Sequence, residues 1–134
     1  MNASLIAPCG MNCALCLGFQ RKKTPCPGCC GEDRFKPKHC TQCSLKLCEH
    51  HAGAGSPLCG ACAVFPCRRL KQLDKRYREK YHMSMIENLE SIRKQGMAEF
   101  VRREKKRWKC RRCGAVLCVH RDQCLACGGD APWA

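Results

Sequence analysis

Cys9-Gly10-Met11-Asn12-Cys13-Ala14-Leu15-Cys16 opens the run of cysteines that decides how this chain folds. It continues through Cys26-Pro27-Gly28-Cys29-Cys30, Cys40-Thr41-Gln42-Cys43 with Cys48, and Cys59-Gly60-Ala61-Cys62 with Cys67. Residues 9–67 hold twelve of the seventeen cysteines, most of them in pairs separated by two residues. A two-residue gap lets one short turn aim both thiolates at a single ion, which supplies half of a tetrahedral shell. One such pair is a weak sign. This density predicts a segment folded around metal, with zinc the first choice.

The competing explanation is a disulfide framework. The start, Met1-Asn2-Ala3-Ser4-Leu5-Ile6, lacks the basic stretch and apolar run of a secretory signal, and no stretch is long enough to span a bilayer. A cytoplasmic setting is expected, where thiols stay reduced and no membrane is engaged. The odd cysteine count also disfavours full pairing. Up to Cys67 the leucines and isoleucines are Leu5, Ile6, Leu15, Leu17, Leu45, Leu47 and Leu58, too few for a conventional core. Such a segment needs cross-links to hold a shape.

The 134 residues carry a formal charge of +14. A zinc held by four thiolates carries about −2 as a site, so four sites would lower the total to roughly +6. The basic excess is uneven: residues 68–109 carry fifteen Lys/Arg against six Asp/Glu. That concentration makes the segment the candidate surface for a protein or nucleic-acid partner, although a solvated face opposite a small core explains it too.

Residues 1–67 read as a cysteine-rich, multinuclear zinc-binding region of turns and knuckles, punctuated by Pro8, Gly10, Pro25, Gly28, Pro37 and Gly60. Residues 68–109 read as a basic amphipathic helical segment. Pro66 suits the first turn of a helix in which Leu70, Leu73, Tyr77 and Tyr81 recur at helical spacing. Ser84-Met85-Ile86-Glu87 matches a capping box and predicts a fresh start after a bend near His82. That helix shows Met85, Ile86, Leu89 and Ile92 on one face and ends at Gly96. A third helix puts Met97, Phe100, Val101 and Trp108 inward. Glu90 with Lys94 and Glu99 with Arg103 stand at i, i+4.

Residues 110–134 read as a C-terminal zinc-ribbon module, with Cys110-x2-Cys113 and Cys124-x2-Cys127 separated by ten residues. Two knuckles and a short hairpin there would complete a four-thiolate shell. Gly114 and Gly128 each follow the second cysteine of a pair, where a knuckle often needs positive φ. Cys118 and His120 lie between the pairs and are expected to pack against the ribbon rather than ligate. Cys40-x2-Cys43-x4-Cys48, Cys59-x2-Cys62-x4-Cys67 and Cys110-x2-Cys113-x4-Cys118 share one spacing, which is recurring knuckle geometry and not a solenoid.

The order Ala7-Pro8-Cys9-Gly10-Met11-Asn12-Cys13-Ala14-Leu15-Cys16, Cys26-Pro27-Gly28-Cys29, then Cys59-x2-Cys62 with Phe65-Pro66-Cys67, resembles the uncharacterised cysteine-rich family called domain of unknown function 3795. The resemblance extends through Ser84-Met85-Ile86-Glu87-Asn88-Leu89 to Trp108-x-Cys110-x2-Cys113-Gly114 and Cys124-x2-Cys127-Gly128. It implies metal binding, by expectation zinc, and brings no activity, substrate or partner; Cys30 lies outside the pattern. More locally, Trp108-x-Cys110-x2-Cys113-x10-Cys124-x2-Cys127 is similar to Ran-binding-protein-type zinc fingers, which recognise RNA or ubiquitin. Those fingers carry an asparagine in the spacer, where this chain has Leu117.

Cys9-x3-Cys13-x2-Cys16 is also similar to the cluster-binding triplet of radical S-adenosylmethionine enzymes, but those need a barrel of roughly 200 residues or more. An electron-transfer iron–sulfur cluster remains an alternative, because four thiolates suit iron as well as zinc. A zinc hydrolase or deaminase needs an open coordination position and a placed carboxylate, and His51-Ala52-Gly53 has glycine where H-x-E would have glutamate. Catalysis is therefore disfavoured. A metal-buffering or delivery protein is the third class, although a thiol sponge does not require amphipathic helices.

The reading is a small metal-stabilised protein with an irregular zinc-knuckle region, amphipathic α-helices and a C-terminal zinc ribbon. The function expected is a structural zinc protein, non-catalytic, serving as an interaction or adaptor module for protein or nucleic acid. Its candidate metal ligands are Cys9, Cys13, Cys16, Cys26, Cys29, Cys40, Cys43, Cys48, Cys59, Cys62, Cys67, Cys110, Cys113, Cys124 and Cys127, enough for about four zinc ions. With Cys30 spare, a histidine such as His39 or His50 could complete a third N-terminal site; His51 and His120 are the other histidines considered. Knuckles pair in sequence or interleave, and the spacing fits both.

Overall fold

A computed structural model of the chain describes residues 1–50 and 58–133. Residues 51–57, with the candidate ligand His51, lie outside the described residues. Proline and glycine interrupt the first part so often that only short elements form there. Among the described residues these include 3-10 turns at Ala3–Leu5, Cys13–Leu15 and Cys59–Ala61, and the one-turn helices α1 (Leu17–Gln20) and α2 (Lys38–Thr41). Three longer helices follow: α3 (Arg68–Lys80), α4 (Met85–Gln95) and α5 (Met97–Arg107).

The helix boundaries follow local chemistry. Ser84 caps α4 by accepting from the Glu87 N–H at 3.1 Å, the near side of the capping box. Gly96 ends α4 at φ +86 and also precedes α5, so one glycine turns the chain between the two helices. Pro66 sits outside α3, whose first residue is Arg68, because Cys67 takes the extended cap position with φ −76 and ψ 167. Glu99 pairs with Arg103 at 2.9 Å as the spacing predicts, and also with Arg102 at 2.7 Å. Glu90 and Lys94 do not come within ion-pair distance; such a surface pair contributes only about 0.2–0.5 kcal/mol.

The apolar faces of these helices cover what the cysteine-rich segment cannot bury alone. Leu5, Ala7, Met11, Leu15 and Leu45 join Leu70, Met83, Met85 and Leu89 in one core. Trp108, Leu117 and Val119 belong to the same cluster, so all three stretches of the chain contribute to it. A second patch packs Ile6 against Ile92, Phe100 and Val101. Among the described residues, no helix is long and apolar enough to cross a membrane.

Gly10 marks the tightest contact in this packing. It sits at φ +90, and a Cβ there would lie 2.7 Å from the Met85 carbonyl oxygen and 2.8 Å from Leu89 Cγ. Asn88 Nδ2 donates to the Gly10 carbonyl at 2.9 Å. The first knuckle is thereby pressed onto the start of α4.

Candidate metal centre

Trp108 ends α5 and delivers Cys110 directly from a fixed helix. Its indole is 1 % exposed, and its N–H donates to Glu104 Oε2 at 3.1 Å. From there the chain makes two similar turns. The Gly114 N–H donates to the Cys110 carbonyl at 2.9 Å, and the Gly128 N–H to the Cys124 carbonyl at 2.8 Å. Gly114 and Gly128 adopt φ +80 and +71, the left-handed backbone expected of them. Isolated antiparallel bridges, Lys109 with Val116 and Gln123 with Asp130, flank the turns. Each bridge closes its own knuckle, and among the described residues no strand ladder links the two.

These turns bring Cys110, Cys113, Cys124 and Cys127 together with all four sulfurs within 4.8 Å of one another. Two of the separations are 3.8 Å, between Cys110 and Cys127, and 3.7 Å, between Cys113 and Cys124. A disulfide would require about 2.0 Å. A tetrahedron with metal–sulfur bonds of about 2.3 Å has edges of about 3.8 Å, so the four residues fit a single ion. The sulfurs are not alike. The Cys113 and Arg112 amides lower the Cys110 thiol to about 6, although burial opposes them. Cys113 is helped by the Ala115 amide, yet burial and the neighbouring Cys127, Cys124 and Cys110 leave it raised to about 11. The backbone amides at the first knuckle thus favour the thiolate form of Cys110, the form that binds a metal.

Cys118 and His120 pack, as expected. Cys118 is 1 % exposed. His120 Nδ1 accepts from the Leu17 N–H at 3.2 Å, which leaves the proton on Nε2, 3.1 Å from the Tyr77 hydroxyl. The ring also lies edge-on to Tyr81, with centroids 4.8 Å apart. Burial, with Arg121 adding to it, holds the imidazole below its ordinary value, so it is neutral.

The other candidates lie in residues 9–67. All seventeen cysteines are among the described residues, and none is in a disulfide. Cys9, Cys13, Cys26 and Cys59 are buried; Cys16, Cys29, Cys40, Cys43, Cys48, Cys62 and Cys67 are half-buried. Among the described residues, only the C-terminal quartet has its sulfurs all within 4.8 Å. Burial raises Cys9, and the thiols of Cys29, Cys43 and Cys13 add to it. Burial likewise takes Cys13 to about 12 against the Cys29 N–H, which points at its sulfur from 3.3 Å. Cys40 is raised by burial and then by Cys26 and Cys16. Cys30 is exposed, with its sulfur 3.8 Å from the Ile6 carbonyl. His39 and His50 are exposed.

Two supports of this region carry no sequence signal. Lys36, with its side chain wholly buried, donates to the carbonyls of Cys29 at 2.8 Å and Gly31 at 2.6 Å, and to Asp33 at 2.9 Å. It pins the turn that carries Cys29 and adds positive charge beside the thiols. Asn12 caps the Cys13–Leu15 turn by accepting from the Ala14 N–H at 3.2 Å, while its Nδ2 donates to Glu104 Oε1 at 3.3 Å. Burial pushes the Glu104 carboxyl up, against the bonds from Asn12 and Trp108 and the charge of Arg107. That one carboxylate ties the first knuckle to the helix that delivers Cys110. Comparison with protein-family models, curated proteins and solved structures found no match for the chain.

Proposed function

We propose that this is a structural zinc protein whose folded surface serves as a non-catalytic interaction module. The observation that supports it most is the spacing of the C-terminal sulfurs, 3.7 and 3.8 Å, against the edge of about 3.8 Å for a mononuclear tetrahedral site. A four-iron cluster binds each thiolate to a different iron and a two-iron cluster divides them two to each, so both spread the four sulfurs further and the spacing favours one ion over a cluster. Four protein ligands leave no open position for a substrate, the arrangement of structural rather than catalytic zinc. The ribbon reading, the resemblance to the cysteine-rich family and a reducing cytoplasmic setting all agree with this. Elemental analysis with a visible spectrum, on protein purified without oxygen, tests it. Zinc without colour is expected; iron with sulfide and a brown absorption would overturn it.

For the partner, we favour single-stranded nucleic acid at the junction of α5 and the C-terminal module. Lys106, Arg107, Lys109 and Arg111 surround a cleft that also exposes His82 and Trp133. The Trp133 and His82 rings lie 5.2 Å apart, tilted by 32° to each other, and Trp108 supports Trp133 edge-on at 5.0 Å. Aromatic rings among cations suit stacked bases and phosphates. Four phosphate contacts predict a salt slope of about −3 for log affinity against log salt. Absence of binding to an oligonucleotide at low salt would end this reading and leave a protein partner.

A further inference from the structure

Cys48, Cys59, Cys62 and Cys67 line a single cavity of about 540 Å³, walled on its apolar side by Leu45 and Leu70. Free cysteines pack like small hydrophobes, so nothing in packing alone demands four around one space. Cys59 and Cys62 are held by a 3-10 turn in which the Cys62 N–H donates to the Cys59 carbonyl at 3.0 Å. The Cys59 N–H donates in turn to the Pro8 carbonyl at 2.8 Å, which anchors this knuckle beside Cys9. Cys67 occupies the N-cap of α3, and its side chain makes no capping bond. Cys48 approaches from the turn after α2, where its N–H reaches the Leu45 carbonyl at 3.4 Å.

The charges around the cavity make a second argument. The first turn of α3 begins Arg68-Arg69 and has no acidic residue. Cations there oppose the positive end of a helix dipole and cost stability unless an anion faces them. Thiolates at Cys67 and across the cavity would supply that anion, beside the carboxylate of Glu49, which lines the same cavity with His50. Burial raises the Cys59 thiol, and Cys67, Cys48, Cys62 and, last, Cys43 are the thiols near enough to add to the rise.

We propose that Cys48, Cys59, Cys62 and Cys67 bind a second tetrahedral metal ion of the zinc class, separate from the C-terminal quartet. The knuckle gives two ligands, the helix cap a third, and the α2 turn a fourth. Ligand pairing in the N-terminal region is then neither strictly local nor sequential, because Cys48 leaves Cys40 and Cys43 for the following knuckle. Closing the shell needs sulfur separations of about 3.8 Å. The long Cys48 bond to Leu45 makes that the side able to move at least cost.

Replacement of the metal in the full chain by NMR-active cadmium tests the assignment, because cadmium couples to the β-protons of the cysteines that bind it. One cadmium resonance is expected to correlate with Cys48, Cys59, Cys62 and Cys67. β-Protons of these four divided among different cadmium ions, or coupled to none, would overturn the proposal. Cys48→Ala in the zinc-loaded full chain is expected to lose one zinc by native mass spectrometry, and retention of the full complement would count against the site. A separate resonance reports on Cys110, Cys113, Cys124 and Cys127, so its absence would refute the C-terminal reading without touching this one.

Discussion

Replacing Gly10 by alanine should test how closely the first knuckle is fitted to α4. Two costs arise. Gly10 adopts φ +90, and placing a Cβ on left-handed backbone costs about 1–2 kcal/mol. The new methyl would also sit 2.7 Å from the Met85 carbonyl and 2.8 Å from Leu89 Cγ, neither of which is a flexible side-chain end. Overpacking of this kind costs about 1–3 kcal/mol. The total, about 2–5 kcal/mol, is a large share of the 5–15 kcal/mol typical of a domain. Gly128→Ala isolates the two parts, because Gly128 has φ +71 and a Cβ there meets nothing within 4 Å. Denaturant unfolding at fixed free zinc, followed by the fluorescence of the buried Trp108, measures both variants. Fixing it matters, since any metal that binds the native state shifts apparent stability by mass action. Gly10→Ala should be the worse by about 1–3 kcal/mol. Equal destabilisation of the two would refute the close approach and leave only backbone strain.

Three further outcomes are expected. Cys113 is exposed, so Cys113→Ser removes a ligand with little loss of packing; it should weaken zinc by about 100-fold, read by competition with a chelator. Asp74 is buried and accepts from Ser84 Oγ at 2.5 Å and the Ile86 N–H at 3.1 Å, so Asp74→Ala should cost about 2–4 kcal/mol near neutral pH. Burial raises this carboxyl, but Ser84, Ile86 and Arg78 outweigh it and hold it below 3.8, so its contribution is present above that value and fades as pH falls through the lower folded value. His120, held neutral, should titrate by NMR below its usual midpoint of about 6.5. The unfolded chain then binds the extra proton first, so stability falls as pH drops below about 6.5, and His120→Gln should lessen that fall.

What the sequence reveals is what depends on near neighbours. The α4 cap at Ser84, the stop at Gly96 and the inward face Met85, Leu89 and Ile92 follow from residues within four positions of one another. The C-terminal quartet is legible for a similar reason: both pairs carry their own turns, and ten residues close the loop between them. Lys36 could not be found this way, since its acceptors are the carbonyls of a turn whose shape no short spacing predicts. Asn12 looks like part of a cysteine motif; only the fold puts it 3.3 Å from Glu104, ninety-two positions away. Asp74 gave a partial signal, its i, i+4 relation to Arg78, but its bond to Ser84 depends on the angle between two helices.

The cysteine-rich segment and the C-terminal module are joined by more than a shared core. The Val119 N–H donates to the Leu15 carbonyl at 2.8 Å, and the Leu17 N–H to His120 at 3.2 Å. Gln20 bridges the Ala14 carbonyl at 2.8 Å and the Leu117 carbonyl at 3.1 Å. These bonds bracket Cys16 on one side and the loop between the C-terminal knuckles on the other. A metal bound at Cys110, Cys113, Cys124 and Cys127 would hold in place that loop, which supplies partners to the backbone around Cys16. The coupling is reciprocal, because a site that favours one arrangement of the shared bonds must be favoured by it equally. Loading one end of the chain should therefore tighten the other even though no ligand is shared between them. Glu104 extends the same logic to Asn12, through a buried carboxylate that touches the first knuckle and the last helix at once.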